Sequence, residues 1–404
     1  ECPATKREFL DSEKDPRPSA SSSRLAALNM LVFAPIGVQL PFLPLWYASV
    51  GLGADAIALI QGATPIARFL SNLLVPPLAD RHGGAARLLA LCALAMTLGS
   101  LAAGFAQPAF WPIFVFIVVS AFGQGPMIAL ADSIVLREAR RRVLAGERPL
   151  DYGVVRGAGS FSVLALMATG GWFVGLFPAP TIVFVIAGVM AAIVPAIYLL
   201  TPGEPADAQG ARAMPRESVA TPGLVTLIVI GAALIQASHA LVYTFGSIAF
   251  RDMGHGNGVI GLLWAIGVAT EIVFFVVSNR FGGASRAYGL LIAGGVFAAL
   301  RWLLMSFATS TPLLFFSQAL HAVSFASTHL GAVYALTRLV GETRRAQAQG
   351  WISGANALST AAAATICGPL WKNFGLHAYF AMAMIATVGL ALVIRAALDP
   401  RKDS

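Results

Sequence analysis

Twelve apolar stretches of roughly 20 residues run through the chain and leave little room for any other kind of structure. A helix needs about 20 apolar residues to cross the hydrocarbon core of a bilayer, so each stretch is long enough for one spanning helix. The first six cover about residues 24–50, 55–79, 87–106, 110–136, 152–176 and 180–200, and the second six cover about 222–250, 257–278, 286–308, 312–337, 347–371 and 376–397. The sequence therefore predicts an all-α membrane protein with 12 transmembrane helices.

Polar segments divide the stretches into two sets of six. Residues 1–23 are rich in proline, serine and charge, and we expect a disordered N-terminal tail there. A polar linker covers residues 202–221, and a short cytoplasmic tail covers 398–404. The predicted domains are therefore an N-terminal six-helix bundle at 24–201 and a C-terminal six-helix bundle at 222–397.

The basic residues predict the orientation in the membrane. If the N-terminus is cytoplasmic, 22 of the 27 Lys and Arg residues fall in cytoplasmic segments, and the others are Arg68, Arg156, Arg251, Arg301 and Lys372. Cytoplasmic loops of membrane proteins carry such an excess. We therefore expect both termini in the cytoplasm, in a multi-pass protein of the cytoplasmic (inner) membrane. Because the same bias explains the net charge of +8, no nucleic-acid partner is expected.

The two halves contain a short repeat. Arg81-x-Gly83-Gly84, after the second stretch, returns as Arg280-x-Gly282-Gly283 after the eighth, about 199 residues later. Glycine-rich loops can recur by chance, but the helix count and the central linker favour a true repeat. Parallel six-helix repeats are one plan of secondary transporters, and their solute site lies at the repeat interface near the bilayer midplane.

A single ionisable side chain, Glu271, lies near the middle of the stretch from Gly256 to Asn279. A carboxylate at that depth is costly, so such residues usually face a bundle interior and mark a path for ions or substrate. His239, Arg301 and His321 lie at comparable depth on nearby stretches. The sequence thus indicates movement of a small solute across a membrane, with Glu271 as the proton carrier.

Glu271 and Arg301 form the most informative pair. Lipid-like surroundings favour the protonated form of a carboxyl group, whereas a nearby guanidinium favours the ionised form, so a group between the two influences can load and release a proton. Arg301 can also hold a substrate carboxylate in a bidentate way. The alternative is a static ion pair that joins the two helices, although buried ion pairs are weak evidence for stability alone.

Other polar residues in the stretches have open roles. His321 and His239 can bind substrate or relay protons, since histidine has an unperturbed pKa of about 6.5, or they can bond a neighbouring backbone. Asp132 and Arg156 can belong to the site, and Asp132 can instead belong to a cytoplasmic gate. Arg68 has no acid on its own helix within a turn, so gate, site and substrate anion remain alternatives.

Aromatic residues accompany the charged ones. Tyr243 is one turn from His239, Trp264 is seven residues before Glu271, and Phe325 is one turn from His321. They can line a pocket for an aromatic substrate, because small-molecule sites are apolar cavities with a few placed polar groups. Ordinary packing between helices is the alternative.

Several motifs resemble the major facilitator superfamily. Asp80-Arg81-x-Gly83-Gly84 is similar to the superfamily's signature loop between helices two and three, and Arg280 and Gly282 are its counterparts in the second half. Within the superfamily the chain resembles the phenylpropionate permease family, relatives of the lactose permease. That match rests on Pro149-Leu150-Asp151-Tyr152-Gly153-x-x-Arg156, Gln236-Ala237-Ser238-His239-Ala240, Glu271 followed by Ser278-Asn279, Arg301-Trp302, Leu320-His321 and His329-Leu330.

The resemblance implies the major facilitator fold, in which two six-helix bundles rock about a central cavity. It also implies proton-coupled import of a small solute, which is 3-phenylpropionate for the member that names the family. One difference affects the proton carrier. The lactose permease has its proton-carrying glutamate three residues after a histidine of helix ten, and this chain has Ser324 at that spacing from His321. Glu271 or Asp132 must then carry the proton.

We therefore expect a secondary active transporter for proton-coupled uptake of a small organic solute, favouring an aromatic or other monocarboxylate. A sugar or nucleoside symporter and a membrane solute sensor without transport are the alternatives. The sequence contains no GxxxxGKS, HExxH or GxSxG motif, so no enzyme activity is expected. We expect no cofactor or metal, and as partners only a small-molecule substrate and the lipid bilayer, with the protein monomeric.

Overall fold

The computed structural model describes residues 21–82, 84–201, 222–278, 286–340 and 344–400, and every element of regular secondary structure within them is helical. Most of the predicted N-terminal tail, the linker at 202–221 and the last four residues lie outside the described residues. So do Gly83, Arg280 and Gly282 of the signature loops, together with the side chains of Asp80 and Arg81.

The first half contains six helices, in which pieces separated by one or two residues are numbered together. They are α1 (Ser22–Ser49), α2 (Ala54–Leu74), α3 (Ala85–Phe105), α4 (Phe110–Gln124 and Met127–Leu144), α5 (Tyr152–Val174) and α6 (Ile182–Ala191 and Ile193–Leu200). A short helix, Pro76–His82, connects α2 to α3.

The second half repeats this arrangement after the linker. Its helices are α7 (Pro222–Ala237 and Ala240–Asp252), α8 (Asn257–Ser278), α9 (Ala287–Ser306), α10 (Thr311–Ala319 and Ser327–Leu339, joined by a π-helical turn at Ala322–Ala326), α11 (Arg345–Phe374) and α12 (Tyr379–Ala397).

Local sequence explains where helices begin and bend. The side chains of Ser21 and Asp151 cap α1 and α5, each accepting the backbone N–H of the residue three positions later. The break in α4 falls at Gly125-Pro126, where proline lacks the N–H that a continuous helix requires. A Cβ atom on Gly125 would lie 2.1 Å from the Ser71 Oγ, so glycine at this position lets α4 pack closely on α2.

Ten helical stretches within the described residues are long and apolar enough to cross a membrane. One of them, Gln347–Ala397, has 51 residues and contains all of α12 and α11 from Gln347 onward, enough for two crossings. α10 is not among the ten, and a π-helical turn divides it into segments of 9 and 13 residues. The predicted class of an all-α, multi-pass membrane protein is confirmed, and the count of twelve stays a prediction that agrees with these helices.

The two halves pack against each other through α1 with α7, α2 with α11 and α5 with α8. At one end the α5–α8 contact is made by glycines. A Cβ atom on Gly171 of α5 would lie 2.0 Å from the Asn257 carbonyl oxygen, and one on Gly261 of α8 would lie 2.3 Å from the Met167 carbonyl oxygen. Only glycine allows backbones to approach this closely. We call this end, which carries the α5–α6 and α7–α8 connections, the tight end.

The interface is more open away from the tight end. Gly157, fourteen residues before Gly171 on α5, has no neighbouring described atom within 4 Å of its Cβ position and lines a cavity between the halves. The halves therefore enclose a central space that the tight end closes on one side.

Candidate functional site

A cavity of about 530 Å³ lies between the two halves. Its walls come from α1 and α5 of the first half and from α7, α8, α9 and α10 of the second. Seven residues predicted from the sequence line it, namely Arg156, Tyr243, Trp264, Glu271, Arg301, His321 and Phe325. Phe33, Phe275, aliphatic side chains and the polar side chains of Ser160 and Gln318 also line it, and we call this space the aromatic compartment.

A second space of about 550 Å³ adjoins the first, between α1, α2 and α4 on one side and α7, α10 and α11 on the other. Tyr243 and Phe325 line both spaces and lie between them, together with Ile36 and Leu40. Six amide side chains line the second space, namely Gln39, Gln61, Asn72, Gln124, Gln236 and Asn356. We call it the amide-lined compartment.

Three side chains form a line along the aromatic compartment. The His321 Nε2 lies 3.5 Å from the Glu271 Oε2, and the Arg301 Nη1 lies 3.0 Å from the His321 Nδ1. No described carboxylate lies within 4.0 Å of the Arg301 guanidinium. The expected direct pair of Glu271 and Arg301 is thus not formed, because His321 lies between the two charges.

This arrangement determines which nitrogen of His321 carries the proton. A guanidinium only donates hydrogen bonds, so the His321 Nδ1 beside Arg301 must accept. The neutral imidazole then carries its proton on Nε2, which faces the Glu271 carboxylate. A second proton on Nδ1 would place two donors against each other, so His321 can become charged only if the Arg301 Nη1 moves away.

Arg301 itself is fixed from several sides and is 1% exposed. Its Nη2 donates to the Gln318 Oε1 over 2.8 Å, and its guanidinium lies 4.6 Å from the ring of Trp302. The Trp302 indole N–H donates to the Ser238 Oγ over 2.8 Å and so holds that ring in place. The Arg301 Nε is buried without a hydrogen-bond partner among the described residues.

Ser324 connects this line to the second predicted histidine. Its Oγ lies 3.4 Å from the Arg301 Nη1 and 3.2 Å from the His239 Nε2. The His239 Nδ1 lies 3.2 Å from the carbonyl oxygens of Ile235 and Gln236 and therefore donates to them. His239 is fully buried and lines neither compartment, so the structure places it behind the site rather than in the cavity wall.

A π-helical turn in α10 positions the side chains of His321, Ser324 and Phe325. It covers Ala322–Ala326, directly after His321, and holds Ser324 and Phe325. Such turns insert an extra residue into an α-helix and occur often at functional sites. The Ser327 hydroxyl donates to the Val323 carbonyl oxygen within the turn. Because the turn changes the helical register, His321, Ser324 and Phe325 can all point toward α7, α8 and α9.

The aromatic residues form stacked layers next to the charges. Tyr243 stacks on Trp264 at 6.0 Å between ring centroids and on His239 at 6.0 Å. Phe325 stacks on His321 at 4.8 Å. The Trp264 indole N–H donates to the Ser247 Oγ over 2.8 Å, which fixes its ring. These side chains both pack together and line the cavity, so packing and pocket lining are not exclusive here.

The first half contributes two arginines to the compartments, and each has a neutral contact there. The Arg156 guanidinium lies 4.1 Å from the ring centroid of Phe33 and lines the aromatic compartment. Arg68 lines the amide-lined compartment, and its Nε donates to the Gln124 Oε1 over 2.8 Å. The Gln124 Nε2 in turn donates to the Gln39 Oε1 over 2.6 Å.

Two further predicted residues take different positions. Asp132, in the second segment of α4, lines neither compartment. It interacts electrostatically with Arg156 and Tyr152 near the start of α5. His329 lines the amide-lined compartment and interacts electrostatically with Glu271. Within the part of the chain that the structure describes, no three His, Cys, Asp or Glu side chains are grouped to hold a metal ion.

Sequence reasoning missed Gln318 and the connecting role of Ser324. Gln318 is three residues before His321 and Ser324 is three residues after it, so all three share one helix face in an apolar stretch. That spacing was a usable signal for Gln318. The role of Ser324 depends on the π-helical turn, for which the sequence carried no signal.

The sequence and the fold both match known transporters. The sequence model of the MFS_1 like family matches residues 23–382. The chain is 28% identical over 382 residues to the Escherichia coli (strain K12) protein named "Probable 3-phenylpropionic acid transporter", covering 92% of this chain and 97% of that protein. It is 26% identical over 299 residues to the Streptococcus pneumoniae multi-drug resistance efflux pump PmrA, covering 70% and 72%.

Among solved structures, the nucleoside transporter NupG superposes with a TM-score of 0.78 at 17% identity, covering 94% of this chain and 99% of that one. This likeness shows the major facilitator fold, and the expected resemblance is confirmed. The protein is therefore a membrane transporter of small molecules rather than an enzyme. With the family model matched over most of its length, the chain belongs to the MFS_1 like family of the major facilitator superfamily.

Proposed function

We propose that this protein imports an aromatic or other monocarboxylate together with protons across the cytoplasmic membrane. The observation that carries the proposal is the line Glu271–His321–Arg301 in the wall of the aromatic compartment. It joins a group that can hold a proton to a group that can hold a carboxylate through one imidazole. The name of the Escherichia coli relative supports the substrate class.

The charges around the two compartments favour an anionic substrate. Arg68, Arg156 and Arg301 line them, and Glu271 is the sole Asp or Glu among the described residues that do. Cavities lined mainly by one sign of charge concentrate ligands of the opposite sign. Tyr243, Trp264 and Phe325 supply flat apolar surfaces beside Arg301, which suit an aromatic ring.

Coupling follows from competition for Arg301. A substrate carboxylate that binds the guanidinium draws the Arg301 Nη1 away from the His321 Nδ1. His321 can then rotate, and its hold on the Glu271 carboxylate weakens. Glu271, deprived of its donor in a low-dielectric cavity, then takes up a proton. Substrate and proton are thus loaded together, and the neutralised site can move across the membrane.

Alternating access is provided by the two halves. With both termini cytoplasmic, as the distribution of Lys and Arg predicts, the tight end is the outer end and the structure is the inward-facing state. Release of the glycine contacts of α5 and α8 opens the outer end. Rocking of the two bundles about a fixed midplane site is how repeat-built transporters alternate.

The proposal is tested with Glu271→Gln in proteoliposomes. The amide keeps the size of the side chain and an oxygen that can accept from the His321 Nε2, but it cannot carry a proton. We expect uptake of labelled 3-phenylpropionate driven by a pH gradient to fall by about 100-fold or more, while exchange against preloaded substrate is retained. Glu147→Gln, on the exposed segment after α4, is the matched control and should behave like the unchanged protein. Uphill uptake that survives in Glu271→Gln would disprove this coupling role.

A neutral substrate is a second candidate, and the amide-lined compartment favours it. Amides and hydroxyls there suit a sugar or a nucleoside, and the solved structure of a nucleoside transporter shares the fold. If this candidate is right, nucleosides or sugars should bind the purified protein, and no carboxylate should compete with them. If carboxylates bind, and if their binding is lost on substitution of Arg301, the first candidate is favoured.

A further inference from the structure

The two compartments differ in the chemistry that they offer. The aromatic compartment combines rings with Arg301 and Arg156, whereas the amide-lined compartment combines six amides with Arg68 and the hydroxyls of Thr64 and Thr360. Each compartment alone falls within the roughly 300–1,000 Å³ of an ordinary small-molecule pocket. A single-ring monocarboxylate held at Arg301 can lie within the first compartment and has no group that reaches the second.

The hydrogen bonds fix the orientation of several amides in the second compartment. Because Arg68 only donates, the Gln124 atom that it contacts is the oxygen, and the Gln124 amide N–H donates to the Gln39 Oε1. The N–H groups of Gln39 then remain available. The Gln236 Nε2 donates to the Phe325 carbonyl oxygen over 3.3 Å, so its Oε1 remains as an acceptor.

Buried acceptors in this compartment lack donors. Gln236 is 6% exposed, and its Oε1 has no hydrogen-bond partner among the described residues. The Asn356 Oδ1 is likewise buried without a partner among them. A buried polar atom without a partner is costly, so such atoms mark places where a ligand or water completes the hydrogen bonding. The compartment thus offers donors at Gln39 and Arg68, while the unpartnered oxygens of Gln236 and Asn356 are buried in its wall and reach a ligand by rotation of their side chains.

This mixture selects among ligand groups. A carboxylate only accepts and would meet the oxygens of Gln236 and Asn356 unfavourably, whereas a hydroxyl group both donates and accepts. Neighbouring hydroxyls of a sugar can satisfy donors and acceptors of this kind together. The shared wall of Tyr243 and Phe325 offers an aromatic ring a position between the two compartments, with one end toward Arg301 and the other toward the amides.

We propose that the amide-lined compartment is a second substrate subsite, and that the preferred substrate is an aromatic carboxylate that carries a hydroxyl-rich group, such as a sugar, at the end of the ring opposite the carboxylate. This inference rests on the proposed carboxylate site at Arg301. It assigns recognition of the hydroxyl-rich group to Gln39, Gln236, Asn356 and Arg68.

The test compares three ligands by calorimetry on the purified protein, namely 3-phenylpropionate, the glucoside of its para-hydroxylated form and methyl glucoside. We expect the glucoside to bind about tenfold more tightly than 3-phenylpropionate, as expected for one or two net hydrogen bonds. Asn356→Leu and Gln39→Leu should each remove most of that advantage and leave the affinity for 3-phenylpropionate within about twofold. Asn373→Leu, on the exposed end of the same helix α11, is the matched control and should keep the advantage.

Equal binding of the glucoside and 3-phenylpropionate to the unchanged protein would overturn the second subsite, as would an advantage that persists in both leucine variants. Methyl glucoside that binds as tightly as the aromatic glucoside would also overturn it, because the carboxylate would then contribute nothing. The two proposals fail separately. If 3-phenylpropionate binds through Arg301 but the glucoside gains nothing, only the subsite is wrong, whereas failure of every carboxylate to bind removes the proposed function.

Discussion

The two halves share one scaffold but use their buried charges differently. In the second half Glu271, His321, Arg301 and His239 are joined through direct contacts, with Ser324 between the last two. In the first half Arg68 contacts Gln124, and Arg156 lies over Phe33 and interacts with Asp132, which lines neither compartment. The joined groups of the second half can pass a change of charge from one to the next within the cavity wall, whereas the cavity-lining arginines of the first half supply a fixed charge. Proton chemistry is therefore expected in the second half, and fixed positive charge in the first.

The largest effect is expected from substitution of Arg301, which lies at the centre of the joined groups in the second half. Arg301→Lys keeps the positive charge but cannot donate in parallel to His321, Gln318 and Ser324, since a lysine ammonium lacks the planar fork. We expect the affinity for 3-phenylpropionate to fall by about 100-fold, equivalent to roughly 3 kcal/mol. Equilibrium binding of the labelled acid to the purified protein measures this.

Arg156→Lys in the first half is the matched control. Its guanidinium makes a cation–π contact with Phe33, worth about 0.5–1 kcal/mol at an exposed site, and lysine can retain part of that attraction. The loss of affinity should stay below about tenfold. Equal losses in the two lysine variants would mean that both arginines hold the substrate carboxylate and that the halves do not differ in this way.

The second prediction concerns the role of His321 between two charges. His321→Gln can still accept from Arg301 through its oxygen and donate to Glu271 through its amide, whereas His321→Leu can do neither. We therefore expect His321→Gln to retain pH-driven uptake within about tenfold and His321→Leu to lose about 100-fold, since leucine removes a partner from two charged groups at once. Initial uptake rates in proteoliposomes at fixed pH gradient measure both.

This pair of variants distinguishes two roles for His321, namely that of a side chain that only connects Arg301 to Glu271 and that of the proton carrier. If glutamine is as inactive as leucine in pH-driven uptake while both variants still exchange substrate, His321 carries the transported proton itself. The line of contacts would then end at His321, and Glu271 would serve to orient it.

The sequence predicted the components of the site better than their connections. Glu271, Arg301 and His321 could be placed at one depth because each lies near the middle of an apolar stretch. Which side chains touch depends on the rotation of α8, α9 and α10, which packing determines. Gly267 illustrates this, since its Cβ position lies 3.5 Å from the His321 Cβ, so α8 and α10 are in van der Waals contact at the site. The π-helical turn after His321 is likewise a result of tertiary packing.

Helix positions were predicted well where apolar stretches end in polar turns. The stretch at 257–278 agrees with α8, Asn257–Ser278. The predicted stretch at 110–136 was too short, because α4 continues to Leu144 through an arginine-rich segment. Arginine has a high helix propensity, so a helix can extend beyond its apolar part. Hydropathy alone identifies the membrane-crossing part of a helix and not its end.

The smallest expected effect concerns Asp132, the acid of the first half. The sequence left Asp132 and Glu271 as candidate proton carriers, but Asp132 lines neither compartment, whereas Glu271 lines the aromatic one and contacts His321. Asp132 interacts with Arg156 and Tyr152 instead, at an end of α4 that continues into an arginine-rich segment. We therefore expect Asp132 to remain a fixed charge next to Arg156.

We expect Asp132→Asn to reduce pH-driven uptake by no more than about threefold, because the substitution removes one partly solvated interaction between charges, and such interactions contribute little free energy. The pH dependence of the uptake rate should keep its shape, because the group that takes up the transported proton is unchanged. Uptake rates across a series of external pH values at constant gradient measure this. If Asp132→Asn abolishes uphill uptake while exchange continues, the proton is carried in the first half, and the division of roles between the halves is reversed.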